Sequence, residues 1–519
     1  MTFSLFRQKL STTITGGAII IAVFTIISKF IGLLRDRLIA SSFGAGDTTD
    51  VYFASFRLPD LIFNTLVLGA LASAFIPVFI SVWSKNKTQA WRVANSIFNL
   101  ILIILGALAL VFFALAPVIV PFIVPGFTPE KQKATTELTR IMLFSILFFG
   151  ASNVISSILN SFKRFVAFSL APIMYNLGII FGIVALVPRF GIWGLGLGVV
   201  FGSILHLAVQ IPSAISSGFS WRPQLALKEP GVKKIALLML PRTFGLAVNQ
   251  INYIVITVIA STLIIGSVSV FQYAQNLMSF PIGIFAISLA IASFPYFSES
   301  AAKGDIKTFV RQFSLTLRRI LYLILPMSIF VLLLRAQIVR LVLGAGRFDW
   351  AATVMTLETL GFFSFSLFAQ ALIPLLARSF YAFQDTKTPV IVSLISILVN
   401  IFGGLYLSKF MGVAGLALAF SIASIINVIL LFVILRIKLD FLDEKKIIFS
   451  LFKISLLSMI AGGAVQITKH LVAPLVNMQT FVGVLIQFAS ASIIGVAIYI
   501  SLTLLCKCEE VNVLKKLKI

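Results

Sequence analysis

Between Gly32 and Asp60 the stretch GLLRDRLIASSFGAGDTTDVYFASFRLPD carries Arg35, Arg37 and Arg57 together with Asp36, Asp47, Asp50 and Asp60, although apolar runs lie on both sides of it. Guanidinium groups grip phosphates through paired, charge-assisted hydrogen bonds, so arginines set into apolar helices suit the binding of an oxyanion. Lys29 precedes Arg35 in the same run, and Arg242 lies within a later one. Together these cations read as a ladder leading through a helical bundle. Arg35 lies seven residues before the expected end of its helix near Ser42, and Arg57 seven residues after the expected start of the next near Asp50. At 1.5 Å per residue both sit about 10 Å below the same surface. A charge at that depth costs about 2.5–3.5 kcal/mol on insertion scales, so it normally faces a wet cavity or a partner. Asp50, Arg57 and Asn64 follow one another at i+7 spacing, with Asp60 three residues past Arg57, which makes one polar stripe on an apolar helix. Snorkelling to headgroups and pairing with Asp36 or Asp60 are the alternatives; for Arg35 and Arg57 the cavity is the reading adopted. Asp47 reads as a solvated turn residue and Asp50 as a helix N-cap. Glu358 is the one other acid well inside an apolar run, and it and Asp50 are the candidates for coupling transport to an ion or proton.

The elements that must position these residues follow from composition. Of 519 residues, 59% are apolar and 11% charged, against roughly 25% charged in soluble proteins. Runs of the ~20 residues needed to cross a membrane recur from Gly17 to Thr503. Dividing them at Pro, Gly and charge clusters predicts an all-α polytopic membrane protein of fourteen transmembrane helices, near 17–42, 50–82, 93–120, 138–160, 166–187, 192–216, 234–264, 267–297, 308–334, 351–380, 388–408, 411–436, 447–469 and 476–505. Most of the 41 Lys and Arg fall in alternate connections such as SKNKTQAWR, WRPQLALKEPGVKK and RIKLDFLDEKK; by the positive-inside bias both termini face the cytoplasm. Arg7 and Lys9 before an apolar run resemble a signal peptide, but no small-residue cleavage site follows, so a retained first helix is expected. The net charge of +24 is spread over short connections rather than gathered on one solvated face, which argues against nucleic acid as a partner. Cys506 and Cys508 are too few for a disulfide framework. No His/Glu spacing suggests a metal, no cofactor is implied, and no pair of deep carboxylates suggests an enzyme acting on a membrane lipid. A purely structural role gives no reason to keep a costly polar stripe.

Four pairs of short segments echo one another in order: KFIGL and RTFGL, VYFASFRL and VFQYAQNL, NSFKRFVAFSLAP and RSFYAFQDTKTP, GIWGLGLG and GVAGLALA, at offsets of 213 to 221 residues. Such a repeat predicts two pseudo-symmetric six-helix lobes, residues 1–220 and 221–440, and a C-terminal helix pair, 441–519. Six is even, so the copies run the same way through the membrane, a transporter plan that places the substrate between them. Pro59, Pro241 and Pro281 fall within spans and are expected to kink them.

The stretch KFIGLLRDRLIASSFGAGDTTDVYFASFRLPDL, with GALASAFIPVF at Gly69, GSVSVFQYAQNLMSFPIGIFAISLAIASFPYFS at Gly266, LGAGRFD at Leu343 and FYAFQDTKTPV at Phe380, resembles the MurJ (MviN) lipid II flippases of the multidrug/oligosaccharidyl-lipid/polysaccharide exporter superfamily. The resemblance covers roughly residues 25 to 440. It implies a bacterial inner-membrane protein, a monomer, with a cationic central cavity and a final helix pair lining a groove for a lipid tail. It also implies a substrate, undecaprenyl-pyrophosphate-linked disaccharide pentapeptide, moved from the cytoplasmic to the outer leaflet by alternating access, and the cell-wall synthesis machinery as partner. By position Lys29, Arg35, Asp36 and Asp50 match charged positions of the family. Family members often carry an Arg pair where this chain has Phe63 and Asn64, and an Arg where it has Asn276; Arg57 and Arg242 are expected to supply that charge. A flippase for another lipid-linked saccharide, or a drug exporter of the superfamily, is the alternative, although drug exporters use buried acids and the excess here is basic.

Overall fold

The computed structural model describes residues 14–68 and 70–511, and among them there is no strand. By contact the chain divides into two compact units, Met1–Val268 and Ser269–Ile519. The first holds α1 (Ile14–Phe43), α2 (47–68 and 70–83), α3 (Lys87–Ile123), α4 (Pro129–Ser161), α5 (Phe165–Phe190), α6 (Trp193–Ser216) and α7 (Pro230–Ser261). The second holds α8 (Ser267–Ala302, which begins at the boundary), α9 (Ile306–Val342), α10 (Trp350–Ser364 and Leu367–Ala382), α11 (Lys387–Leu439), α12 (Glu444–Val472) and α13 (Phe481–Leu505). Among the described residues nine helices are long and apolar enough to cross a membrane, or ten if the two segments of α10, bent by 46°, form one span.

Helices begin earlier than hydropathy predicts, and caps explain why. The Asn86 side chain accepts from Gln89 N at 3.0 Å, which starts α3 at Lys87 rather than 93. Thr128 accepts from Lys131 N, and Pro129 takes the first helical position, so the polar PEKQKATTELTR segment is helical although it is not apolar. Asp305 and Asp349 cap α9 and α10 in the same way.

In the first unit α5 and α6 meet along a glycine seam. A methyl on Gly178 would lie 2.2 Å from Gly202 Cα, and one on Gly182 would lie 2.5 Å from Gly198 Cα, so only glycine permits this helix–helix distance. Near the starts of α3 and α5, Phe79, Trp83, Trp91 and Phe162 form an edge-to-face and tilted aromatic cluster. The helix α2 is not uniform: Pro59 lies in the Arg57–Phe63 segment, which passes into a π-turn at Asn64–Leu68. In the second unit a π-turn at Ile282–Ala286 follows Pro281 in α8. The residues around Pro241 are helical, but the Pro241 side chain lies outside the described residues.

The predicted repeat leaves its mark on the backbone. Gly191 and Gly412, 221 residues apart, share φ 56° and ψ −136°. Lys163 and Gln384, at the same offset, both take left-handed conformations, φ 58° and 59°. The helix breaks at Phe144 in α4 and Phe365 in α10, again 221 residues apart, also match, both right-handed with φ −63° and −64° and ψ −27°. Gly412 interrupts α11 without a loop, where two separate helices are expected. Its 53 residues amount to about 80 Å of helix, far more than one crossing of a ~30 Å core needs.

Three helices of the second unit form a laced module. The Tyr322 hydroxyl on α9 meets Thr503 Oγ1 at 3.1 Å, and the Tyr499 hydroxyl donates to Tyr322 O at 2.8 Å, both on α13. Past α13 the chain turns back so that Glu510 is buried against α9 and α12. There it accepts from Arg318 (2.7 Å) and Ser450 (2.7 Å).

Candidate functional site

The charged stripe on α1 and α2 is held from within the first unit. Arg35 donates through Nε and Nη2 to Asp36 Oδ1, at 3.0 and 2.7 Å, and through Nη1 to Asn176 Oδ1 at 3.0 Å. Asn176, on α5, donates through Nδ2 to Pro172 O at 3.0 Å, which turns its amide oxygen toward α1. A guanidinium has five N–H donors; these three bonds leave two on Arg35, whose side chain remains 20% exposed. Arg57 is buried, and its Nε donates to Thr257 Oγ1 on α7 at 2.7 Å. Thr257 is itself aimed by donating to Tyr253 O at 2.9 Å, so its lone pair rather than its proton faces Arg57. Lys29 is half-buried on α1 and Asn64 half-buried in the π-turn of α2. On these two helices Lys29, Arg35, Arg37 and Arg57 are matched in number by Asp36, Asp47, Asp50 and Asp60, but Asp47 and Asp50, at the start of α2, are both drawn to Lys131.

A second cluster ties the connections at the other side of this stripe. Asp50 is not the expected N-cap: the helix is capped at Gly46, and the Asp50 carboxylate, buried, accepts from Lys131 Nζ at 3.1 Å and from Gly266 N at 2.8 Å. Lys131 also pairs with Asp47 at 2.7 Å and stands 3.8 Å from the Phe127 ring centroid. Asp47, expected to be a solvated turn residue, is 62% exposed and ion-paired. A cleft of about 400 Å³ opens here, lined by Asp47, Asp50, Phe127, Lys131, Ile192 and Ile264. Gly266 has φ +91°, and a Cβ on it would stand 2.4 Å from Ala45 O. Glycine is required by both the conformation and the close approach.

The remaining expected residues are placed separately. Asn276, on α8 in the second unit, accepts from Gln272 at 3.0 Å. Glu358 on α10 is exposed and has no ion pair among the described residues. The Arg242 side chain lies outside the described residues, although its backbone is helical. No group of three metal-ligating side chains occurs among the described residues. Asn176, Thr257 and Lys131 are the partners that the sequence did not single out. Asn176 left a trace as an amide in the apolar run LAPIMYNLGIIF, whereas Thr257 is one of many threonines that bond their own helix.

Compared with known proteins, residues 39–486 match the family model described as lipid II flippase MurJ. A probable lipid II flippase MurJ of Buchnera aphidicola subsp. Acyrthosiphon pisum is 32% identical over 79% of this chain and 81% of its own. The lipid II flippase MurJ of Burkholderia cenocepacia is 29% identical over 80% and 82%. Among solved structures, a lipid II flippase MurJ in an inward closed conformation is similar with TM-score 0.78 and 27% identity, over 93% of this chain and 98% of that one. An inward-facing multidrug resistance MATE family transporter of the MOP superfamily shares the fold alone, with TM-score 0.65 and 14% identity over 82% and 99%. The chain belongs to the lipid II flippase MurJ family.

Proposed function

We propose, proceeding from that membership, that this protein is a lipid II flippase. It carries undecaprenyl-pyrophosphate-linked precursor from the cytoplasmic to the outer leaflet of the bacterial inner membrane, as a transporter and not an enzyme. Arg35 carries the reading: Asp36 and Asn176 fix its guanidinium while two N–H donors stay unused, and fixed, unspent donors at partial exposure suit a pyrophosphate oxygen. Lys29, Arg57 and Arg242 add the charge that a multivalent anion needs, with Asn64 and Asn276 as neutral contacts.

In this reading the chain crosses the membrane fourteen times, α11 crossing twice about Gly412, with both termini cytoplasmic. It is built as lobes 1–220 and 221–440 with a tail-groove pair at 441–519, and it works by alternating access as a monomer beside the cell-wall machinery. Asp50, bonded to Gly266 N, and Glu358 are the residues through which a proton or cation would act on the cycle.

The test is a leaflet-accessibility assay for lipid II in vesicles containing the wild type, Arg35→Ala or Arg57→Ala. Loss of transport in both variants is expected; unchanged transport would remove these arginines from the mechanism. Transport of a different lipid-linked saccharide in preference to lipid II would replace the substrate while leaving the class of protein intact.

A further inference from the structure

The laced module of α9, α12 and α13 treats its cations differently at its two ends. Where α9 begins, Arg318 is buried and meets two carboxylates, Glu510 at 2.7 Å and Glu509 at 3.2 Å. At the opposite end Arg335, Arg340 and Lys469 meet only carbonyls. Arg335 Nη1 donates to Leu332 O at 2.8 Å, Lys469 Nζ reaches across from α12 to Leu333 O at 3.1 Å, and Arg340 Nη2 donates to Met478 O at 2.7 Å. None of the three has a carboxylate in ion-pair range among the described residues. Because Arg335 and Lys469 are anchored to successive carbonyls of one helix, their charges lie close enough to repel.

This convergence is built by the surrounding residues. Gly361 of α10 faces Arg335, and a Cβ there would come within 3.2 Å of Arg335 Cδ, so glycine makes room for the side chain to lie between helices. Gln487 donates to Lys469 O at 2.8 Å and accepts from Gln337 at 2.8 Å, which fixes α12 and α13 beside α9. Arg335 follows directly on the apolar run that ends at Leu334, and Lys469 stands in the last turn of α12. Exposed Ile467, Leu471, Leu475 and Phe481 stand in the neighbouring turns and connection. Cations at the level where an apolar helix ends, among apolar side chains that face outward, stand where lipid phosphates lie. A forked guanidinium beside an ammonium is the donor set that phosphate recognition uses.

We propose that Arg335 and Lys469, with Arg340 beside them, form a phosphate-binding site for a lipid headgroup at the end of α9 and α12 remote from Ile306 and Glu444, which is the outer leaflet in the orientation given above. The protein leaves two like charges together without internal neutralisation, and a lipid phosphate supplies the counter-charge that Glu510 supplies at the other end. The site does not depend on which saccharide the protein carries. Its ligand is either a resident phospholipid or the pyrophosphate of the transported lipid after crossing.

The experiment uses the full chain purified in detergent and exposed to equal amounts of phosphatidylglycerol and phosphatidylcholine, with retained lipid counted by native mass spectrometry. The wild type is expected to keep phosphatidylglycerol at least tenfold over phosphatidylcholine, and the Arg335→Gln/Lys469→Gln double variant to lose that preference. The exchange variant Arg335→Lys/Lys469→Arg, which preserves charge, keeps most of it, so failure of the double variant to fold cannot imitate the result. Undecaprenyl pyrophosphate is then added as competitor: displacement of the phosphatidylglycerol assigns the site to the transported lipid, and persistence assigns it to a resident phospholipid. Equal retention by the wild type and the double variant overturns the proposal. So does an equal loss in Lys445→Gln/Lys446→Gln, at the opposite end of α12.

Discussion

Arg318 and Arg335 stand on the same helix, one near each end, and their surroundings are opposites. Arg318 is 8% exposed and neutralised by the returning C-terminal segment; Arg335 is half-buried and bound to a carbonyl of its own helix. Arg35 and Arg57 fall between these extremes. Arg35 has one carboxylate and one amide, and Arg57 has a threonine hydroxyl from α7 among its partners. Under the two proposals above, the series separates a structural cation from one kept for a ligand. Where the fold spends carboxylates on an arginine, the arginine fastens helices together; where it spends carbonyls and amides, the positive charge survives for something that arrives from outside.

The largest effect expected from this contrast is at Glu510. Removing one member of a buried pair leaves the other uncompensated, at about 3–5 kcal/mol, so Glu510→Ala is expected to lower the unfolding temperature in detergent markedly. A loss under 1 kcal/mol would place Arg318 in the same class as Arg335. Asn176 comes next. Asn176→Leu takes away the amide that fixes Arg35 and should slow lipid II transport about tenfold, the equivalent of about 1.4 kcal/mol. Asn176→Asp keeps an acceptor oxygen and should transport at a rate nearer the wild type. Equal rates for the two variants would show that orientation of Arg35 is immaterial.

At Arg335 the comparison predicts a small effect on stability. Arg335→Gln breaks no ion pair and should stay within about 0.5 kcal/mol of the wild type, while still removing lipid retention. The smallest effect belongs to Asp385, in the turn between α10 and α11. Partial burial pushes its carboxyl up, but bonds from Lys438 at 2.8 Å and from Thr388 N and Oγ1 outweigh this and hold it at about 2. Since the folded group sits below its unfolded range near 4, its stabilisation is complete above that range and fades as pH falls toward 2. The wild type and Asp385→Asn should therefore differ in melting temperature at pH 7 and converge near pH 2. A constant difference across that range would mean that the pairing with Lys438 carries none of it.

Much of this architecture was legible before any coordinates. Apolar runs had to become helices because backbone polar groups have no partner in lipid other than one another, and the repeat was visible in short echoes that recur as matching backbone breaks at Gly191 and Gly412. Helix ends were less legible: hydropathy registers what is apolar, while Asn86, Thr128 and Asp305 start helices through single hydrogen bonds. At Asp50 the sequence misleads for a related reason. Its residue type favours an N-cap, but Lys131 and Gly266, distant in sequence, bid for the same carboxylate.

The sequence alone determined that this chain lives in a membrane, repeats itself, and keeps arginines where charge is costly, because composition, period and charge count are one-dimensional properties. Only the tertiary structure decided which of those arginines is neutralised. The partners of Arg35, Arg57 and Arg318 stand on α5, α7 and the segment after α13, between about 140 and 200 residues away in the chain. Electrostatic pairing depends on a few ångströms of space, and distance along a chain does not record it.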